Sequence, residues 1–112
     1  MKYSELITKI VRENPVLPHD IQLSLVREWQ EAENKGSLDK LVLSNIRLVS
    51  KEAFKIRARN SYLNYEDLMQ EGLAGLVKAA DMFDLKQDVV FMTYAMLWAK
   101  ANMRRYVMDH RS

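Results

Sequence analysis

The stretch VFMTYAMLWAKANMRRY, residues 90–106, combines large aromatic and basic side chains at helical spacing. At about 100° per residue, Phe91, Tyr94, Trp98 and Arg105 fall within one arc of about 60°. A second arc of about 120° beside it holds mostly Met, Ala and Val side chains. Together the two arcs are wider than the apolar stripe that a surface helix of a small domain buries. The aromatic arc is therefore either part of the core or a surface with a separate task.

The composition places the chain among all-helical globular domains. Its 112 residues are 48% hydrophobic, enough to bury a core without disulfides or metals. Only three Gly and two Pro occur, and alternating polar and apolar stretches are scarce. The absence of Cys excludes disulfides and thiolate metal sites and favours a reducing compartment. Because the first residues are too charged for a signal peptide and no apolar run is long enough to span a bilayer, we expect a cytoplasmic protein without membrane contacts.

Start and stop signals predict one compact all-α domain of about five helices. The predicted helices span about residues 3–13, 18–34, 37–59, 65–80 and 90–109.

Two of these helices have clear apolar stripes. The second has Ile21, Leu25 and Trp29 facing inward, and Gly36 is its expected C-terminal stop. The stripe of the fourth helix consists of Leu68, Met69, Gly72, Leu76, Ala79, Ala80 and Phe83. Gly72 and Gly75 each cost about 1 kcal/mol relative to Ala inside a helix, which indicates that another helix or a partner approaches closely there.

Side chains suited to catalysis or metal binding are sparse. His19 and His110 are isolated, and the sequence contains no phosphate-binding loop. Asp67 and Glu71 are one helical turn apart, where a solvated or partner-facing acidic patch is the simplest interpretation. The sequence therefore predicts a binding module rather than an enzyme, with no cofactor and no metal.

Charge is segregated along the chain. Residues 40–60 carry net +5 and residues 89–112 net +3, whereas residues 61–88 carry net −4. This arrangement suggests two different contact surfaces, although clusters of solvated charge remain the alternative.

Three segments, NIRLVSKEAFKI, DLMQEGLAGLVKAADMFD and FMTYAMLWAKANMRRYV, resemble in order and spacing the second conserved region of bacterial RNA polymerase sigma factors. The resemblance covers residues 41–111, and residues 1–36 are more loosely similar to the short helical region that precedes region two. The stretch ENPVLPHD and the pairs Lys100-Ala101 and Tyr106-Val107 look most like heat-shock sigma factors. The expected fold is thus the helical domain of sigma region two.

The resemblance implies that Asp67, Gln70 and Glu71 bind core RNA polymerase, on the coiled coil of the β′ clamp. This assignment would explain an acidic segment in a DNA-binding protein. It also implies association with the nucleoid through the polymerase, and an anti-sigma factor is a further candidate partner.

The resemblance also implies recognition and melting of the −10 promoter element. Phe91, Tyr94 and Trp98 would stack on bases of the non-template strand, with Tyr94 closest to the flipped adenine and Phe91 the one expected to be partly core. Basic side chains would hold phosphates at the duplex edge, and two further residues would contact DNA just downstream. The duplex-edge residues are Lys100, Arg104 and Arg105, and the downstream residues are Arg12 and Asn45.

The sequence departs from primary sigma factors at two positions of the last helix. Leu97 stands where they have the first of two adjacent Trp, and Ala101 replaces a Gln credited with reading the upstream base pair. We therefore expect a different or a degenerate element. Because the sequence ends at Ser112, before the later regions of the family, we also expect a fragment or one half of a split factor. The alternative function is a decoy that binds polymerase or an anti-sigma factor without melting DNA.

Overall fold

A computed structural model describes residues 1–111, which form five helices and no strand. The helices are α1 (Tyr3–Glu13), α2 (His19–Ala32), α3 (Lys35–Arg59), α4 (Tyr65–Met82) and α5 (Phe91–Asp109). The predicted all-α class and the number of helices are confirmed. Within this described part of the chain, no helix combines the length and apolarity needed to cross a membrane.

Side-chain caps set the start of the two central helices. The Asn64 side chain accepts a hydrogen bond from the Asp67 backbone N–H at 3.0 Å, as its position before α4 predicts. Asn34 caps α3 in the same way, accepting from the Ser37 backbone N–H at 3.1 Å. Gly36 consequently lies inside α3, so the prediction that it stops α2 is wrong. Glu33 ends α2 instead, in the left-handed conformation with φ 50°.

The residues of α2 that face the core differ from those that its apolar pattern predicts. Ile21 is 43% exposed, whereas Gln22 and Val26 are buried beside Leu25. A polar residue can take the inner position because its hydrogen bonds are satisfied there. The Gln22 amide donates to the Leu17 carbonyl oxygen at 2.8 Å, and its side-chain oxygen accepts from Asn45 at 3.0 Å.

α2 also fixes the end of α4. The Trp29 indole N–H donates to Asp81 Oδ1 at 2.8 Å. Gln30 Nε2 donates to the backbone oxygens of Ala80 and Phe83, both at 2.9 Å. The two Gln30 bonds satisfy backbone carbonyl groups at the end of α4, which the last turn of a helix leaves without partners. The connection that leads from α4 into α5 therefore starts from a fixed point.

The helices α4 and α5 make the most extensive contact in the fold. The predicted stripe of α4 is entirely buried, as expected. On α5 the buried seam repeats every four residues through Phe91, Ala95, Ala99 and Met103. A Cβ atom built on Gly75 would lie 2.7 Å from the backbone N and Cα of Ala99. The two helices thus touch backbone to backbone, which explains the glycine in the middle of α4.

We predict that Gly75→Ala lowers the free energy of unfolding by about 1–3 kcal/mol, because α5 must move away to admit the methyl group. This is the net change, because the steric cost should exceed the gain of about 1 kcal/mol in helix propensity when Ala replaces Gly. Gly36→Ala is the control, since its Cβ would meet only the Asn34 side chain, at 3.3 Å. Denaturant unfolding of both variants measures the difference, and a Gly75→Ala protein as stable as the parent would contradict the packing argument.

Candidate functional site

The aromatic side chains of α5 divide between core and surface. Phe91 is 1% exposed and packs edge-to-face on Phe83, with ring centroids 5.3 Å apart. Tyr94 and Trp98 are half-buried at the border of the same core. The prediction that Phe91 offers a face to a base is therefore wrong. As the first residue of the four-residue seam on α5, Phe91 points into the interior with Ala95.

A cavity of about 120 Å³ lies beside Tyr94. The Tyr94 ring packs edge-on against Phe83 at 5.3 Å and forms one wall, and the loop between α4 and α5 forms the others. In that loop the Asp84 carboxylate accepts from the Lys86 backbone N–H at 2.9 Å. The cavity is thus lined by an aromatic ring together with the side chains of Phe83, Asp84, Gln87 and Val89.

Neither Asp84 nor Gln87 emerged from the sequence as a site residue. The stretch DMFDLKQD reads as a polar turn between two helices, and nothing in its composition indicates a cavity. Only the packing of Phe83 under Tyr94 brings this turn next to the aromatic edge of α5.

The three basic residues predicted for the duplex edge do not form one cluster. Lys100 and Arg104 are exposed and line a groove of about 210 Å³ with Arg59 from the end of α3. Arg105 is rotated about 100° from Arg104 around α5. Its guanidinium donates to the Asn102 side-chain oxygen at 3.1 Å. Arg59 is a member of the groove that the sequence did not single out, because α3 is basic along much of its exposed face.

The three residues predicted to bind the polymerase lie on the first two turns of α4. Asp67 and Gln70 are exposed, and Glu71 is half-buried. The Tyr106 hydroxyl of α5 donates to Asp67 Oδ2 at 3.0 Å. Burial raises the pKa of Tyr106 above its usual value, and the hydrogen bond to Asp67 and the negative charges of Asp67 and Glu71 raise it further. Tyr106, in the C-terminal half of α5, therefore fixes the position of the Asp67 carboxylate, one of the predicted polymerase contacts.

The two predicted downstream contacts differ in accessibility. Arg12 is exposed in the last turn of α1. Asn45 is 1% exposed, and its amide donates to Gln22 and to the Leu41 carbonyl oxygen at 3.0 and 2.9 Å. Asn45 is thus a core residue in this structure, which contradicts its prediction as a DNA contact. Its Oδ1 has no hydrogen-bond partner within residues 1–111.

Comparison with known proteins gives a family for this arrangement. A family model described as Sigma-70 region 2 matches residues 41–112. RNA polymerase sigma factor SigA of Synechocystis is 37% identical over an alignment that covers 80% of this chain and 24% of that protein. RNA polymerase sigma-G factor of Bacillus subtilis is 36% identical, covering 86% of this chain and 36% of that protein.

Relatives named RpoH, the heat-shock sigma factor that the sequence resembles, are also found. The one from Caulobacter vibrioides is 31% identical over 94% of this chain and 35% of its own length. The chain thus spans about a quarter to a third of these curated relatives. The family model covers more than half of the chain and begins inside α3. The chain therefore belongs to the sigma-70 family of bacterial RNA polymerase sigma factors, of which residues 41–112 are region 2.

Proposed function

We propose that this chain recognises and melts the −10 promoter element while it binds core RNA polymerase. The cavity beside Tyr94 carries the proposal. Its volume of about 120 Å³ suits a small planar group such as one unpaired base. Its lining combines an aromatic ring with two polar side chains, as expected of a pocket for a flipped base.

The polar groups of the cavity match an adenine base. A Gln side chain can bond adenine in a bidentate manner through its amide. Asp84 is an acceptor for an exocyclic amine, since its carboxylate makes one backbone hydrogen bond and has further lone pairs. Tyr94 would replace part of the stacking energy that the base loses on leaving the duplex, about 1–3 kcal/mol per base. Gln87 and Asp84 would thus identify the base that Tyr94 holds.

Next to this cavity, the exposed surface of α5 is apolar. Leu97 is 65% exposed, and Ala101 follows one turn later on the same side of the helix. Neither side chain can form a hydrogen bond with the edge of a base pair. The half-buried rings of Tyr94 and Trp98 lie on the adjoining face of α5. We therefore propose that the base pair upstream of the flipped base is held with little sequence discrimination.

The groove between α3 and α5 suits the phosphates of the duplex edge. Arg59, Lys100 and Arg104 converge there from two helices, opposed by a single carboxylate, Glu52. A net positive groove of this kind binds the DNA backbone without reading sequence.

The acidic first turns of α4 are the proposed docking surface for the β′ clamp of the polymerase. Asp67 and Gln70 are exposed, and the Tyr106 hydroxyl fixes the orientation of the Asp67 carboxylate. A carboxylate held in this way presents its free lone pairs to a basic partner at little cost in side-chain entropy. A decoy would need this surface alone and would not need the cavity at Tyr94.

For the base pocket, we predict that Tyr94→Ala weakens binding of single-stranded −10 DNA by about 1–3 kcal/mol while the domain stays folded. Phe91→Ala should instead lower the free energy of unfolding by about 3–5 kcal/mol, because it empties a buried site. Denaturant unfolding and strand affinity in the polymerase complex are measured for both variants. Full strand affinity in folded Tyr94→Ala protein would favour the decoy.

For the groove, single Ala substitutions of Arg59, Lys100 or Arg104 should each flatten the plot of log affinity against log salt by about 0.7–0.9. Arg105→Ala is the comparison, and its effect should be smaller because Arg105 lies outside the groove and bonds Asn102. Equal effects of Arg104 and Arg105 would argue against a phosphate site shared by α3 and α5.

For docking, Gln70→Ala combined with Glu71→Ala should weaken binding to core polymerase without loss of helicity. Glu31→Ala on α2 is the control, since it removes a carboxylate that lies outside the proposed docking surface. The measurement is the affinity for a β′ clamp fragment, together with circular dichroism of each variant. The assignment fails if the double variant and the control bind equally well.

The Tyr106–Asp67 bond gives a prediction about pH. Asp67→Asn should lower the pKa of Tyr106 toward 10, since it removes a negative charge but retains an oxygen acceptor. In the parent, the raised pKa of Tyr106 means that its protonated hydroxyl contributes fully to stability below a pH of about 10. This contribution is lost as the pH rises through the pKa that Tyr106 has in the folded protein. NMR titration of ¹³Cζ-labelled tyrosine measures the change. Tyr65, whose pKa is raised by burial, is the internal control, and an unchanged Tyr106 would contradict the assignment.

A further inference from the structure

A cavity of about 560 Å³ lies far from the Tyr94 cavity. It is a groove where the start of α1, the second half of α3 and the start of α4 meet. Because Tyr65 and Phe83 lie at opposite ends of α4, the two cavities are separated by about 27 Å of helix. The groove therefore cannot be an extension of the proposed base pocket.

One aromatic ring in this groove is held flat and half open to solvent. Phe54 is 51% exposed and stacks on Tyr65, with ring centroids 4.6 Å apart and planes at 25°. Tyr65 is fixed in turn by a 3.0 Å hydrogen bond between its hydroxyl and Ser50 Oγ. The edge of the Tyr3 ring packs against it at 5.9 Å. Phe54 thus presents a preorganised planar face rather than a loose side chain.

Two basic side chains share the lining of this groove with Phe54. Arg57 and Lys2 line the groove, with Glu66 as the one acidic side chain in the lining. Lys51 lies one turn before Phe54 on α3. Within residues 1–111, salt bridges join only Arg27 to Glu31 and Lys35 to Asp39, so Arg57, Lys2 and Lys51 have no carboxylate partner there. The proposed promoter contacts use only Arg59 of the basic segment 40–60.

We propose that this groove is a second binding site for single-stranded nucleic acid, with one base stacked on Phe54 and the adjoining phosphates on Arg57 and Lys2. An aromatic face bordered by cations is the combination that single-strand-binding surfaces share, and stacking on it is tolerant of sequence. Unpaired cations that flank a planar ring favour a polyanion with planar bases over an apolar protein segment. The site is independent of the Tyr94 cavity.

The three Phe residues of the chain allow a test in which each site has its own signal. In protein labelled with 4-fluorophenylalanine, Phe54 reports the groove, Phe83 reports the Tyr94 cavity and buried Phe91 reports the fold. Titration of the 112-residue chain with a short oligodeoxyadenylate should shift the ¹⁹F resonance of Phe54 and leave that of Phe91 in place.

Variants test the stacking and the phosphate contact separately. Phe54→Leu should reduce affinity for the oligonucleotide at least about fivefold. Arg57→Gln should flatten the salt dependence by about 0.7. Tyr62→Leu is the matched control, because Tyr62 is an exposed aromatic residue outside the groove, and its affinity should not change.

The outcomes separate this site from the promoter function. If the Phe83 resonance shifts and that of Phe54 does not, the proposed groove site is wrong and the proposed base pocket is supported. If only the Phe54 resonance shifts, the groove site is supported and the base pocket is wrong. No shift of either resonance would overturn both. A Phe54 shift that requires core polymerase and no DNA would identify a protein partner and overturn the assignment to nucleic acid.

Discussion

The backbone contact between α4 and α5 at Gly75 determines where the Tyr94 cavity and the acidic turns of α4 lie. A Cβ on Gly75 would overlap the backbone of Ala99, so the helices can adopt their observed separation only with glycine there. At this separation, the start of α5 lies over Phe83 and its end reaches Asp67. The Tyr94 cavity and the acidic turns thus occupy opposite ends of one rigid helix pair. A shift of α5 by even a methyl group would disturb both.

Much of the fold is predictable from local signals. The stripe of α4, the cap at Asn64 and the five helices follow from periodicity and from capping chemistry, which depend on neighbouring residues. The error in the inward face of α2 has a different origin, because contacts with distant residues determine which side chains are buried there. Gln22 displaces Ile21 from the interior because Leu17 and Asn45 satisfy its amide, and no property of α2 alone indicates those bonds.

The candidate site shows the same division. The aromatic arc of α5 is evident in the sequence, but periodicity gives Phe91 and Tyr94 the same status, and only the seam with Ala95 separates them. The sequence does not predict three further site residues, Asp84, Gln87 and Arg59, because each becomes part of a site only through packing between helices. The buried position of Asn45 depends likewise on α2. When residues from several helices form one binding site, no motif in the sequence links them.

The central claim is that Tyr94 and the loop before α5 hold an unpaired base while the opposite end of α4 docks on the polymerase. The most direct measurement is an electron cryo-microscopy structure of the chain bound to core polymerase and a forked promoter fragment. The account predicts one base of the non-template strand in the cavity between Tyr94 and Gln87, with Phe91 still buried and Asp67 and Gln70 against the β′ clamp. An empty cavity in a complex whose strand is ordered elsewhere would contradict it.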